Sequence, residues 1–171
     1  MIELIVLDVD GTLTDGKITY STSGEETKSF DVADGLAIAV WTKVFGKKAA
    51  IITGRNSSIV ERRAKELQIT HLHQGVKNKQ EVLENILKAE GLNWNQVAAI
   101  GDDLNDYNML KKVGLSFTPA NGTHYLKEFV NVICNNSGGN GAVREMLEYI
   151  IKEDGLEEDF INAWLWNFLF L

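Results

Sequence analysis

Cysteine, proline and clustered positive charge are all scarce in this chain. The single cysteine, Cys134, excludes an internal disulfide. Within Val130-Asn131-Val132-Ile133-Cys134 it reads as a small core residue rather than a nucleophile. One proline is present, Pro119, and no repeat or low-complexity linker interrupts the sequence. There is no block of Lys or Arg, and 24 acidic against 17 basic residues give a net charge of −7. That balance argues against nucleic acid or an anionic membrane as partner, though not against a small anion held by a few local cations. The first residues lack the basic flank and long apolar stretch of a secretory signal, so the cytoplasm is the expected compartment.

What the chain has is 171 residues, 44% of them hydrophobic, enough for one α/β core and too few for two ordinary domains. We expect one domain over 1–155 and an apolar tail over 156–171. Strand-length apolar runs at 4–9, 49–53, 71–73, 97–101, 115–117 and 130–133 alternate with amphipathic segments at 35–44, 57–67, 79–90, 106–112 and 141–151. The runs are mostly Val, Ile, Ala and Leu without strict alternation, which predicts a mostly parallel sheet covered on both faces. The expectation is a three-layer, doubly wound, Rossmann-like α/β fold. Two β-prone runs around a Ser-Gly turn, within residues 17–30, predict a hairpin projecting just after the first strand.

In such a fold ligands sit beyond the carboxyl ends of the strands, where the chemically suggestive residues fall. The first strand ends in Asp8-Val9-Asp10-Gly11-Thr12-Leu13-Thr14, the second in Thr53-Gly54-Arg55 and the fourth in Gly101-Asp102-Asp103-Leu104-Asn105-Asp106, while Lys79 opens a helix. Two carboxylates at the mouth of a buried strand need a cation or a chemical task. Magnesium binds through a few carboxylates plus phosphate and water, which Asp8, the Asp10 carbonyl and Asp102 could supply. A Thr hydroxyl with neighbouring N–H groups suits phosphoryl oxygens, Lys79 adds a point charge, and Asp103 and Asp106 could orient metal waters or Lys79. Singly, each item has a bland reading as a turn, a helix entry or a solvated residue. Together, at successive strand ends, they form a kit for phosphoryl transfer.

These residues resemble the four motifs of the haloacid dehalogenase superfamily in its phosphatase form. The resemblance implies that Asp8 is the nucleophile forming an aspartyl-phosphate and that Asp10 is the general acid and base. It implies further that Thr53 holds the phosphoryl group, that Lys79 neutralises it, and that Asp8, Asp10 and Asp102 bind magnesium. Signalling receiver domains share acidic residues, Thr and Lys at strand ends, but their acid pair and nucleophile lie on different strands, so Asp10 favours the hydrolase. Only 42 residues separate Asp10 from Thr53, and 25 separate Thr53 from Lys79, leaving no room for a cap domain.

Within the capless group the chain is similar to 3-deoxy-D-manno-octulosonate 8-phosphate phosphatases from Ile5 to about Tyr149. That similarity includes Gly24-Glu25-Glu26, Phe30 to Gly35, Ile69 to Gly75 and Gly138 to Glu145. It implies cleavage of a small phosphorylated sugar acid in lipopolysaccharide precursor synthesis. The implied substrate contacts are Asp10, Asp31, Val32, Ala33, Asp34, Gly35, Thr53, Gly54, Arg55, Arg63 and Lys79, in a homotetramer whose subunits complete each other's sites. Ala33, Ala39 and Asn140 stand where relatives often carry arginine, removing charged donors that a sugar carboxylate would use. A nonulosonate 9-phosphate phosphatase, or a phosphatase-like module without activity, are the competing readings.

Two further features carry expectations. His71 and His73 lack a third soft ligand nearby, which favours packing or hydrogen bonding over metal binding. Residues 160–171 are too apolar to leave in water and too short to span a bilayer, and are expected to cover part of this subunit or the next.

Overall fold

The computed structural model describes residues 1–166. Its centre is a six-stranded sheet built from β1 (Leu4–Leu7), β4 (Lys48–Ile52), β5 (His71–His73), β6 (Val97–Ile100), β7 (Leu115–Thr118) and β8 (Val132–Ile133), in the order β5-β4-β1-β6-β7-β8. Every neighbouring pair is parallel, with Leu7 opposite Ile51 on one side and Ile100 on the other. Strand order therefore reverses between β1 and β6, which makes their carboxyl ends the switch point of the fold.

Side chains of β1 alternate between two cores. Ile5 and Leu7 pack with Ile51, Ile100 and Phe117 beneath α1 (Val32–Ala39), α2 (Ser58–Glu66) and α6 (Ala142–Glu153). Leu4 and Val6 pack with Ile52 and Ala99 against α3 (Lys79–Glu90), α4 (Tyr107–Leu110) and Leu126 of α5 (His124–Lys127). The expected three-layer, doubly wound architecture is the one observed. Cys134 is buried beside Ala142, as a core residue, and burial pushes its thiol up to about 12.

The differences from expectation are local. The first helix begins at Val32 rather than Gly35, because the Asp31 carboxylate accepts hydrogen bonds from the backbone N–H groups of Ala33 and Asp34. The last strand shrinks to Val132–Ile133 because the Asn131 side chain takes the Ser116 N–H at 2.8 Å, a place a longer backbone ladder would use. The hairpin is real but short, β2 (Thr19–Tyr20) against β3 (Glu26–Thr27). His71 hydrogen-bonds Glu90 at 2.7 Å, and Glu90 also pairs with Lys48.

The tail folds as α7 (Glu157–Trp166), which buries Phe160 and Ala163 in the core under α6 and leaves Ile161 and Leu165 exposed. Its described part thus packs on its own subunit; residues 167–171 lie outside the described residues. No helix among the described residues is long and apolar enough to cross a membrane.

Candidate active site

The centre of the site is the junction of β1 and β6. The Asp8 N–H donates to the Ile100 carbonyl at 3.2 Å, seating Asp8 where the two strands end, with only 3% of its surface exposed. Lys79 reaches it from the first turn of α3, whose start is capped by the Asn78 side chain accepting the Glu81 N–H. Its ammonium lies 2.5 Å from an Asp8 oxygen and 2.6 Å from an Asp106 oxygen, with all three side chains at least 95% buried. Burial pulls the Lys79 pKa down, but the charges of Asp8 and Asp106 outweigh it and hold it above the ordinary lysine value. Asp106 also accepts the Asp103 N–H, while the exposed Asp103 carboxylate caps Leu104. Asp106 therefore supports Lys79, and Asp103 shapes the loop.

Asp8, Asp102 and Asp106 each present an oxygen within 4.8 Å of the others. Burial, then the charge of Asp8, pushes Asp102 up to about 8 and Asp106 up to about 7. Three such carboxylates with one ammonium are short of positive charge, and a hard divalent cation fits the all-oxygen donor set. Gly11 makes the arrangement possible. Its φ is +100°, and a Cβ there would overlap the Asp102 carboxylate, so only glycine lets the loop after β1 pass beside Asp102. The wide turn closes with the Thr14 N–H on the Val9 carbonyl, and Asn121 donates to the Gly11 carbonyl at 3.0 Å.

Asp8, Asp10, Thr53, Gly54, Arg55, Asp102, Asp103, Leu104 and Asn105 line an open cleft of about 390 Å³. Thr53 is fixed by its N–H to the His73 carbonyl and its carbonyl to the Val76 N–H, both 3.0 Å, and this buried residue lines the cleft. Asp10 is not one of the three clustered carboxylates and pairs with Lys28, just beyond β3. Lys28 also lies 3.1 Å from Glu26, and Glu26 pairs with Arg55 at 3.0 Å. The hairpin is thereby tied to the site by its own charges. Sequence reasoning did not single out Lys28; the alternation that sets Glu26 and Lys28 on one face of the strand was the available signal.

Asp31, Val32, Ala33, Asp34, Gly35 and Arg63 do not line this cleft within the subunit. Asp31 is occupied as a helix cap, and Val32 is exposed. Asp34 turns inward and accepts the Arg144 N–H at 2.7 Å at the start of α6; burial pushes it up to about 6 against the pull of those backbone donors. Arg63 lies over the Phe30 ring, reaches Glu66 at 3.3 Å, and occupies the space that Gly35 leaves by lacking a side chain.

Residues 71–147 match the family model for haloacid dehalogenase-like hydrolases. The chain is 40% identical over 156 residues to the 3-deoxy-D-manno-octulosonate 8-phosphate phosphatase of Escherichia coli K12, covering 90% of this chain and 81% of that one. Among solved structures it is similar to the Moraxella catarrhalis phosphatase of the same name in complex with magnesium, phosphate and KDO. That match has 42% identity, a TM-score of 0.91, and coverage of 95% of this chain and 93% of that one. It is also similar to the cobalt-bound Haemophilus influenzae phosphatase, with 36% identity, a TM-score of 0.85 and coverage of 90% of each chain.

Proposed function

Because this chain belongs to the 3-deoxy-D-manno-octulosonate 8-phosphate phosphatase family of haloacid dehalogenase-like hydrolases, we propose that it removes the phosphate of that sugar acid with magnesium as cofactor. It is a phosphoric monoester hydrolase acting in the synthesis of a lipopolysaccharide precursor. The observation that carries the mechanism is the buried Asp8–Lys79–Asp106 cluster beside Asp102, with Asp10 held separately across the same cleft.

In this reading Asp8, Asp102 and the Asp10 carbonyl would hold magnesium, which when bound would shield the attacking carboxylate from the phosphate dianion. An Asp8 oxygen bonds phosphorus as the ester oxygen leaves, and Asp10 gives that oxygen its proton. Asp10 then takes a proton from water as the water oxygen bonds phosphorus and Asp8 is released. The Thr53 hydroxyl, the Gly54 and Arg55 side of the cleft and Lys79 hold the transferring group, and Asp106 keeps Lys79 in place. Asp103 supports the metal side of the loop.

Asp31 to Gly35 and Arg63 do not reach the cleft of their own subunit, which supports assigning them to the sugar end of a site shared between neighbours in a homotetramer. The Lys17 to Phe30 hairpin is the natural contact element, while the described part of the apolar tail packs on its own subunit through Phe160 and Ala163. The acidic balance without any basic block supports an enzyme of small molecules rather than one acting on nucleic acid or an anionic membrane. The test is phosphate release from octulosonate 8-phosphate, sialate-type 9-phosphates and hexose 6-phosphates. Octulosonate 8-phosphate should show the highest kcat/KM. Equal or better hydrolysis of hexose phosphates refutes the substrate, a preference for 9-phosphates moves it to nonulosonates, and no release from any ester refutes the enzyme.

A further inference from the structure

The two aspartates after β1 have separate ammonium partners. Lys79 serves Asp8, and Lys28 serves Asp10. The Lys28 side chain is only 2% exposed although the hairpin that carries it is largely in solvent. Burial acts against its charge, but Asp10 and Glu26 more than restore it. Ordering a long, strongly hydrated side chain in this way is costly, and at Lys28 it is offset by two carboxylates, one of them the Asp10 that lines the cleft.

The geometry distinguishes the two oxygens of Asp10. Oδ1 meets the Lys28 ammonium. Oδ2 faces Arg55, whose Nε is 3.9 Å away, beyond hydrogen-bond reach. Arg55 lines the cleft and Lys28 does not. A lysine ammonium has three donors and no acceptor, so the oxygen it touches must accept and cannot carry a proton toward it. Glu26, ion-paired with Lys28 at 3.1 Å and hydrogen-bonded by Arg55 at 3.0 Å, sits between the two cations that flank Asp10.

We propose that Lys28 is a positioning residue of the hydrolysis: by occupying Oδ1 of Asp10 it assigns the transferred proton to Oδ2, on the cleft side. The inference rests on the reading of Asp10 as general acid. When the bond between phosphorus and the leaving oxygen breaks, the proton on Oδ2 passes to that oxygen. In the second half-reaction a water proton returns to Oδ2 as the water oxygen bonds phosphorus and Asp8 leaves. Without Lys28 the carboxylate can rotate, and the proton is often on the wrong oxygen. The hairpin thus adds a catalytic contact to the architecture of a capless enzyme.

The experiment compares kcat/KM on a sugar phosphate, an alkyl ester that needs its leaving oxygen protonated, with kcat/KM on p-nitrophenyl phosphate, whose leaving group does not. Lys28→Met should lower the first by about 10- to 100-fold and the second by less than about threefold, since only the alkyl ester depends on a positioned acid. Lys28→Arg, which keeps a buried donor, should restore most of the ratio. Equal losses on both esters, or a rise in KM with kcat unchanged on the sugar phosphate, would overturn the role of Lys28. Asp10→Asn separates the layers of the argument. If it discriminates between the esters and Lys28→Met does not, the Lys28 inference fails alone; if Asp10→Asn does not discriminate, the general-acid reading beneath it fails.

Discussion

Replacing Lys79 by methionine isolates the electrostatics of the buried cluster. Methionine keeps most of the volume and removes the charge that lies 2.5 Å from Asp8 and 2.6 Å from Asp106. Breaking a buried ion pair by removing one partner costs about 3–5 kcal/mol, because the remaining charge stays desolvated. In a domain of this size each kcal/mol moves Tm by about 2–4 °C, so a fall of roughly 6–20 °C is expected without metal. The loss should depend on pH. Burial and the charge of Asp8 already push Asp106 up to about 7, so protonation at pH 6 relieves the repulsion that the substitution leaves, and the deficit should be larger at pH 8. Asp106→Asn in the same chain should recover part of it, and saturating magnesium another part. Activity should not recover: loss of a charge aimed at the transferring group should cost roughly 10²- to 10³-fold in kcat. The assay is thermal unfolding at both pH values with and without magnesium, alongside phosphate release. A Tm within 2 °C of the parent at pH 8, or activity within tenfold, would refute the assignment of Lys79 as the central counter-charge.

Other expectations test separate parts of the structure. The native pKa of Asp34, about 6, lies above the ordinary carboxylate value of 3.8, so the folded protein binds more protons between these values and the contribution of Asp34 to stability falls as pH rises through that window. A shift of that size corresponds to about 3 kcal/mol. Asp34→Asn, which keeps an acceptor for Arg144, should flatten the fall in Tm between pH 4 and 7 measured in saturating magnesium; an unchanged slope refutes the shift. Gly11→Ala places a Cβ on the Asp102 carboxylate and strains a φ of +100°, so it should weaken magnesium binding at least about tenfold in a metal titration; parent-like affinity counts against the close approach. Deleting Trp164 to Leu171 should change oligomer stability or KM while leaving phosphorylation of Asp8 intact, and a fully active monomer with or without those residues would refute the shared-site model.

The sheet, its helices and the convergence of the candidate residues were legible because each rests on a local signal. Apolar runs mark the strands, Asp8, Thr53 and Asp102 sit where those runs stop, and Lys79 opens the helix that brings it to Asp8. Helix α3 follows its forecast bounds because Asn78 caps it and Gly91, with a φ of +67°, ends it. What was not legible depends on contacts distant in sequence. Asp34 and Arg144 are 110 positions apart, and no periodicity announces that one caps the backbone of the other. The Lys28–Asp10 pair joins a hairpin to a loop through charges that read singly as solvated. The tail reads as an apolar run whose partner is unspecified, and the α6 surface is what gives Phe160 and Ala163 a place to pack.

The central claim is that Asp8 becomes covalently phosphorylated. It is tested most directly by quenching the enzyme in acid during turnover of octulosonate 8-phosphate, reducing any acyl phosphate with borohydride, and mapping the product by mass spectrometry. The account predicts conversion of Asp8, and of no other carboxylate, to homoserine, dependent on magnesium and on substrate. Steady phosphate release with Asp8 unmodified in every quenched sample, or modification at Asp10 or Asp102 instead, would contradict it.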